Sequence, residues 1–310
     1  MQKFRYIALL LLVLTACEKD IEIALNTQED KLVMYAFMYP DSALKLHFSK
    51  SQSILSVPNY KQVEKGRFKL FINDEIQGAY ILPVDTVWSS WKEFKFEAGD
   101  QIKIEAFEVG GDTIKSESFM PKVIPLYNMD TMTVTRHINE LGSTEVLRAR
   151  VSFDDPGSEL NYYQLHVVRE GWGTIGAKPY YTRKVIMYDK DDPVFTQGDP
   201  GGSLLQGLDF QGLFSDGIYN GLNYRLTFNI SRDNLFFDYY EDKIKITIYL
   251  YHHTFDYYAY YRSKVLADGY DGFYEGLPVF EPVRIHNNID KGHGLFSGMS
   301  FDADSLVFYK

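Results

Sequence analysis

The sequence predicts an all-β protein, and three observations carry the prediction. Tyr (24) and Phe (22) are abundant, and aromatic side chains suit the pleated, half-buried surface of a sheet. Apolar residues recur in short alternating or continuous runs, and turn residues separate those runs at the spacing of a β-sandwich. A chain of 310 residues is longer than one core usually serves. Two tandem sandwiches of immunoglobulin-like character are therefore expected, with one short helix near the C-terminus.

The chain begins with a segment that does not belong to either sandwich. Lys3 and Arg5 precede an apolar run over residues 6–14, followed by Leu14-Thr15-Ala16-Cys17. The run is too short to cross a bilayer, and small residues before a cysteine give the order of a bacterial lipoprotein signal peptide. Residues 1–16 are expected to be removed by cleavage between Ala16 and Cys17, with Cys17 acylated. The rival reading is an ordinary secretory signal beside a chance cysteine. Cys17 is the only cysteine, so no disulfide is expected, and a lipidated sulfur leaves no thiol nucleophile. Loss of Lys3 and Arg5 takes the formal charge from −10 to −12. Such a chain repels phosphate backbones and anionic headgroups, and no Lys/Arg cluster in the sequence reverses the sign. Nucleic acid is not an expected partner, and the lipid on Cys17 is the expected membrane attachment.

Residues 17–30 are polar and aperiodic and read as a tether. The first sandwich, residues 31–122, has strand-like runs at 32–38, 44–48, 67–72, 94–96, 101–107 and 113–119, punctuated by Asn73-Asp74, Gly99-Asp100 and Gly110-Gly111. Pro121 and Pro125 each remove a ladder donor and hold the preceding residue extended, which marks the boundary. The second sandwich, residues 126–310, has runs at 131–136, 146–153, 162–168, 183–188, 224–230, 243–251 and 305–309. Asp154-Asp155-Pro156-Gly157 supplies a turn in which Asp caps the backbone. Residues 189–221 form a long Asp-, Gly- and Pro-rich loop, either function-bearing or disordered. Residues 255–267 are the helix candidate, aromatic nearly all round, with Gly269 and Gly272 placed to end it.

No catalytic set emerges. His252 and His253 with Asp256 have the composition of a metal site, but neighbours on a strand face opposite ways, so a satisfied or exposed pair is expected. His47, His137, His166, His286 and His293 show no ligand spacing. Asp189, Asp191, Asp192 and Asp199 offer calcium-type oxygens without the spacing of an EF-hand, and a solvated acidic loop is the expected state. Gly292-His293-Gly294-Leu295-Phe296-Ser297-Gly298 lacks the Lys-Ser/Thr and the following helix of a phosphate loop; its glycines are expected to permit a tight approach to the last strand. No metal and no cofactor is expected.

Three pieces of sequence carry a resemblance. The lipobox followed by Glu18-Lys19-Asp20-Ile21-Glu22, the stretch Phe214-Ser215-Asp216-Gly217-Ile218-Tyr219-Asn220-Gly221, and Glu281-Pro282-Val283 with Asn288-Ile289-Asp290-Lys291-Gly292-His293-Gly294-Leu295-Phe296 resemble an uncharacterised family of Bacteroidota outer-membrane lipoproteins, domain of unknown function 4249. The resemblance implies a lipoprotein often encoded near TonB-dependent transporters, with no established activity and no catalytic residues. Acidic residues just after the lipidated cysteine accompany surface export in such bacteria; Glu18 and Asp20 fit that signal in part, and Lys19 separates them. The expected role is a non-enzymatic binding or accessory subunit working with such a transporter, with Tyr257 and Tyr260 of the aromatic helix as the binding candidates. The alternative is a surface glycan or peptide hydrolase using paired carboxylates.

Overall fold

Alternation in the sequence sets the strands, and the way the first strand meets the last sets the architecture. In the computed structural model, which describes residues 30–40, 43–52, 63–83, 87–137, 142–195, 208–273 and 283–310, β1 (Leu32–Met38) buries every second side chain. Leu32, Met34, Ala36 and Met38 enter a core, while Val33, Tyr35 and Phe37 face the other way. In chain order follow β2 (Leu44–Lys50), β3 (Gly66–Ile72), β4 (Glu75–Ile81), β5 (Ser89–Trp91), β6 (Gln101–Glu108) and β7 (Thr113–Phe119). Beyond the proline pair come β8 (Tyr127–His137), β9 (Ser143–Asp154), β10 (Tyr162–Ile175), β11 (Lys178–Val185), β12 (Tyr188–Asp189), β13 (Leu213–Ser215), β14 (Asn223–Ser231) and β15 (Glu241–His253). Helix α1 (Phe255–Phe273) and the 17-residue β16 (His293–Tyr309) close the chain.

Two four-stranded sheets, β4-β3-β6-β7 and β12-β14-β9-β8, flank a third that runs β11-β10-β15-β16-β1-β2-β5, with β13 attached to β10. The protein is all-β, and two apolar cores lie between these layers. One gathers Met34, Leu46, Phe68, Leu70, Ile104 and their neighbours; the other gathers Phe153, Leu165, Phe228, Ile246, Ile248 and theirs. The long sheet belongs to both. β16 lies parallel to β1 from Val33↔His293 to Met38↔Gly298, then antiparallel to β15 from His253↔Met299 to Lys243↔Tyr309.

This corrects the expected assignment of residues 126–310 to the second sandwich alone, because Ile289 and Phe296 are buried in the first core. It also corrects the last strand, expected only over 305–309. β16 begins inside the glycine stretch, where a Cβ on Gly294 would stand 1.9 Å from the Met34 carbonyl oxygen and one on Gly298 2.2 Å from that of Phe119. Phe94 and Phe96, expected in a strand, are buried core residues in a segment without ladder pairing. The helix continues past Gly269 and Gly272 and is longer than expected. The loop expected over 189–221 is structured at both ends, by Pro193–Phe195 and by β13, its middle lying outside the described residues.

Candidate binding face

The long sheet has one face turned to the second core and one turned away. Leu165 and Val167 of β10, with Ile244, Ile246, Ile248 and Leu250 of β15, point inward. Their alternates, Trp172, Tyr249 and Tyr251, with Phe301, Val307 and Tyr309 of β16, therefore line the outer face. Pairing sets Tyr181 beside Trp172, Trp172 beside Lys243 and Lys243 beside Tyr309. The Lys243 ammonium stands 5.1 Å from the Trp172 ring centre and 5.9 Å from that of Tyr309, a cation held over two π faces. Further along, Phe301 packs 5.7 Å from Tyr249 and 5.4 Å from Tyr251. Tyr309 is 73% exposed, Tyr181 52% and Phe301 38%. Two aromatic clusters thus lie on this face, with Lys245, Thr247 and Ser305 between them.

Helix α1 covers the adjoining part of the same face. Thr254 sits just before it, its hydroxyl near the Tyr257 amide at 3.5 Å and bonded to Ser297 at 2.8 Å, a side-chain cap on the first turn. Tyr257 stacks on His253 at 3.9 Å and meets Phe37 edge-on at 6.4 Å. Tyr260 meets Tyr35 at 5.8 Å, and Tyr258 lies 4.6 Å from Tyr162. Burial raises the phenol pKa of Tyr257 and Tyr260 above the ordinary value. The structure thus places both tyrosines, half-buried, where the helix seats on the sheet, and the open aromatic surface lies on the sheet beside them. His286 secures the returning chain with its ring on Asp256 at 2.7 Å and its amide on the Ser263 hydroxyl at 2.9 Å.

The remaining candidates fall into packing roles. His252 bonds the Lys122 carbonyl through Nδ1 at 2.9 Å, and His253 bonds the Gln164 amide oxygen through Nε2 at 3.2 Å. They face opposite sides of β15, and burial lowers both pKa values. The acidic loop is not solvated as expected. Asp191 binds Arg136 at 2.7 Å and Arg148 at 3.2 Å, Asp189 also pairs with Arg136, and buried Asp192 accepts the amide of Thr227 at 2.9 Å and the Tyr224 hydroxyl. Asp199 and Cys17 lie outside the described residues.

Asp155 and Asp216 also come close together. Asp155 in the turn after β9 accepts the Tyr163 hydroxyl at 2.6 Å and the Gly221 amide at 2.7 Å. Asp216 accepts the Asn161 amide at 2.8 Å and its side-chain NH2 at 3.0 Å. Desolvation, with Asp155 close by and against the Asn161 bonds, pushes the Asp216 carboxyl up to about 6. Both are buried, Asp216 completely, so the pair ties the turn to the 216–221 segment under a closed surface. The terminal motif has a comparable role: the Asn288 side chain bonds the Phe296 carbonyl at 2.8 Å and amide at 2.9 Å, clamping the start of β16. The described stretches that carried the resemblance, around 216–221 and 288–296, therefore hold the fold. A mixed-charge groove of about 500 Å³ lies where the tether joins β1, lined by Lys31, Lys50, Glu108, Asp112 and Lys291.

Fold and site together define a two-cored, all-β sandwich protein that presents an aromatic sheet face. The chain belongs to the family of domain of unknown function DUF4249, whose model matches residues 18–304. No curated protein matches it. Among solved structures it is similar to a two-fibronectin-type-III-domain segment of chicken tenascin, at 9% identity and a TM-score of 0.22, over 91% of this chain and 100% of that one.

Proposed function

We propose that the protein is a non-enzymatic Bacteroidota outer-membrane lipoprotein, anchored through lipid on Cys17, that acts as a binding or accessory subunit of an envelope complex. The TonB-dependent transporter implied by the family resemblance is the partner of choice. The observation that supports this reading is the open aromatic face. Tyr and Trp give large contact area for little lost side-chain freedom, while Asp155 and Asp216 are buried. The tether joins at Leu32, beside the start of β16, and Tyr309 ends the same strand about 55 Å away at ~3.3 Å per residue. Glu18 and Asp20 favour display on the cell surface.

Two measurements test the proposal. Cys17→Ala is expected to move the protein from the membrane to the soluble fraction, and wild-type recovery in the membrane would remove the anchor from the argument. Affinity purification of the native protein in mild detergent is expected to co-isolate a transporter. The combined change Tyr181→Ser, Phe301→Ser and Tyr309→Ser is expected to reduce that yield at least tenfold with unchanged far-UV circular dichroism. Full co-isolation by the folded triple variant would place binding elsewhere.

A further inference from the structure

We infer that the free edge of β11 takes up an extended acidic segment of a partner protein as an added strand of the long sheet. The inference deepens the binding reading above and rests on it. Among the described residues β11 pairs with β10 on one side only, and the chain then leaves for β12 in another sheet. Six of its eight residues are exposed, and the strand offers an edge of about 25 Å with no ladder partner among the described residues, Pro179 alone lacking an N–H to contribute. The opposite end of the same sheet is the three-residue β5, too short to template much pairing.

Charge identifies the occupant. The chain carries −10 overall, yet pairing sets Arg183 of β11 with Lys243 and Lys245 on the outer face of the sheet, while Lys178 and Lys184 point to its other face. Glu170, the acid among them, already accepts the Tyr181 hydroxyl at 2.6 Å and faces Arg183 at 3.8 Å. No run in the sequence shows this patch, because strands far apart in the chain assemble it. β8, another long edge, has its charges matched internally: Asp130 pairs with Arg225, and Arg136 with Asp189 and Asp191. A second copy of β11 is a poor occupant, since it would double the positive charge along the new ladder and supply no acid to meet Lys178 and Lys184. Alternating acidic and apolar residues fit instead, the acids meeting Lys178 and Lys184 on one face and the apolar side chains meeting Tyr181, Val185 and Met187 on the other, the last two 67% and 74% exposed.

The edge is also held rigid. The Thr182 hydroxyl donates to Glu241 at 2.9 Å, and buried Glu241 receives Arg169 at 2.9 Å and 2.5 Å. Arg169 in turn bonds the carbonyls of Asn234 and Phe236 at 2.9 and 3.0 Å. Strand addition then requires ordering of the incoming segment alone.

The test uses the mature protein and an eight-residue peptide of alternating Glu and Val, read by fluorescence anisotropy and amide hydrogen exchange. Protection of residues 178–185 on titration is expected, weakening as salt rises. Methylation of alternate peptide amides, or Lys178→Glu with Lys184→Glu, is expected to raise Kd at least tenfold. Equal binding by the methylated peptide or by its Lys-for-Glu counterpart, protection centred on another strand, or no protection at millimolar peptide would each overturn the inference. So would wild-type transporter co-isolation by the charge-reversed variant, and that result would leave the binding reading standing.

Discussion

Asp216 is a carboxyl that the fold would rather keep protonated. It is fully buried, its Oδ1 has no hydrogen-bond partner among the described residues, and Asp155 lies beside it. A folded-state value of about 6 exceeds the ordinary ~3.9 of an unfolded chain. The stability from the protonated group is therefore complete below about pH 4 and is lost as pH rises through 6. Ionisation at pH 8 costs on the order of 2–3 kcal/mol by this shift. Asp216→Asn keeps the oxygen that accepts from Asn161 and places an NH2 where the proton would sit. Urea midpoints are expected to match wild type at pH 4.5 and to show a gain of about 1–3 kcal/mol at pH 8. Equal destabilisation at both pH values would mean that the anion is required.

Among the elements, α1 rests on aromatic contacts more than on helical periodicity. Tyr257 and Tyr260 meet His253, Phe37 and Tyr35, and replacing both with Ser is expected to cost about 2–4 kcal/mol. Hydrogen exchange should show the helix opening before the sheets; unchanged protection would mean that the rings contribute little. How much of each element the sequence disclosed follows from how its residues bury. β1 and β7 were legible to the residue because each alternates core and surface. β4 escaped because Glu75–Ile81 is exposed nearly throughout, with Tyr80 its one side chain packed on the core. Phe94 and Phe96 misled because an apolar alternation satisfies a core from a loop as well as from a ladder. The open face escaped for another reason. Trp172, Tyr249, Phe301 and Tyr309 lie in three strands, and only the register of β10, β15 and β16 brings them together, whereas the helix tyrosines stood together in sequence and drew the expectation to themselves.

At the scale of the whole molecule, the pairing of the first strand with the last governs how the protein unfolds. The tandem arrangement read from the sequence implies two units that melt apart, but the first core is incomplete without Ile289 and Phe296, and β1 has β16 as one of its two neighbours. Such long-range closure was not legible in the chain, since nothing local in residues 293–298 names residues 33–38 as their partner. Gly294 is the point where the closure is tightest: its φ is +127° and an added Cβ would meet the Met34 carbonyl oxygen. Gly294→Ala is expected to destabilise the protein by about 2–4 kcal/mol through strain and loss of that approach. Because β16 continues into the second core through Leu306 and Phe308, the loss should appear in both halves as one transition. Fluorescence of Trp91, packed on the first core, and of Trp172, on the sheet over the second, reports the halves separately when each is the only tryptophan retained. Coincident urea curves, shifted together by Gly294→Ala, are expected. A fragment of residues 31–122 should show no cooperative transition of its own. Curves that separate, with Gly294→Ala moving only the Trp91 signal, would show that the two cores fold independently and that β16 merely passes between them.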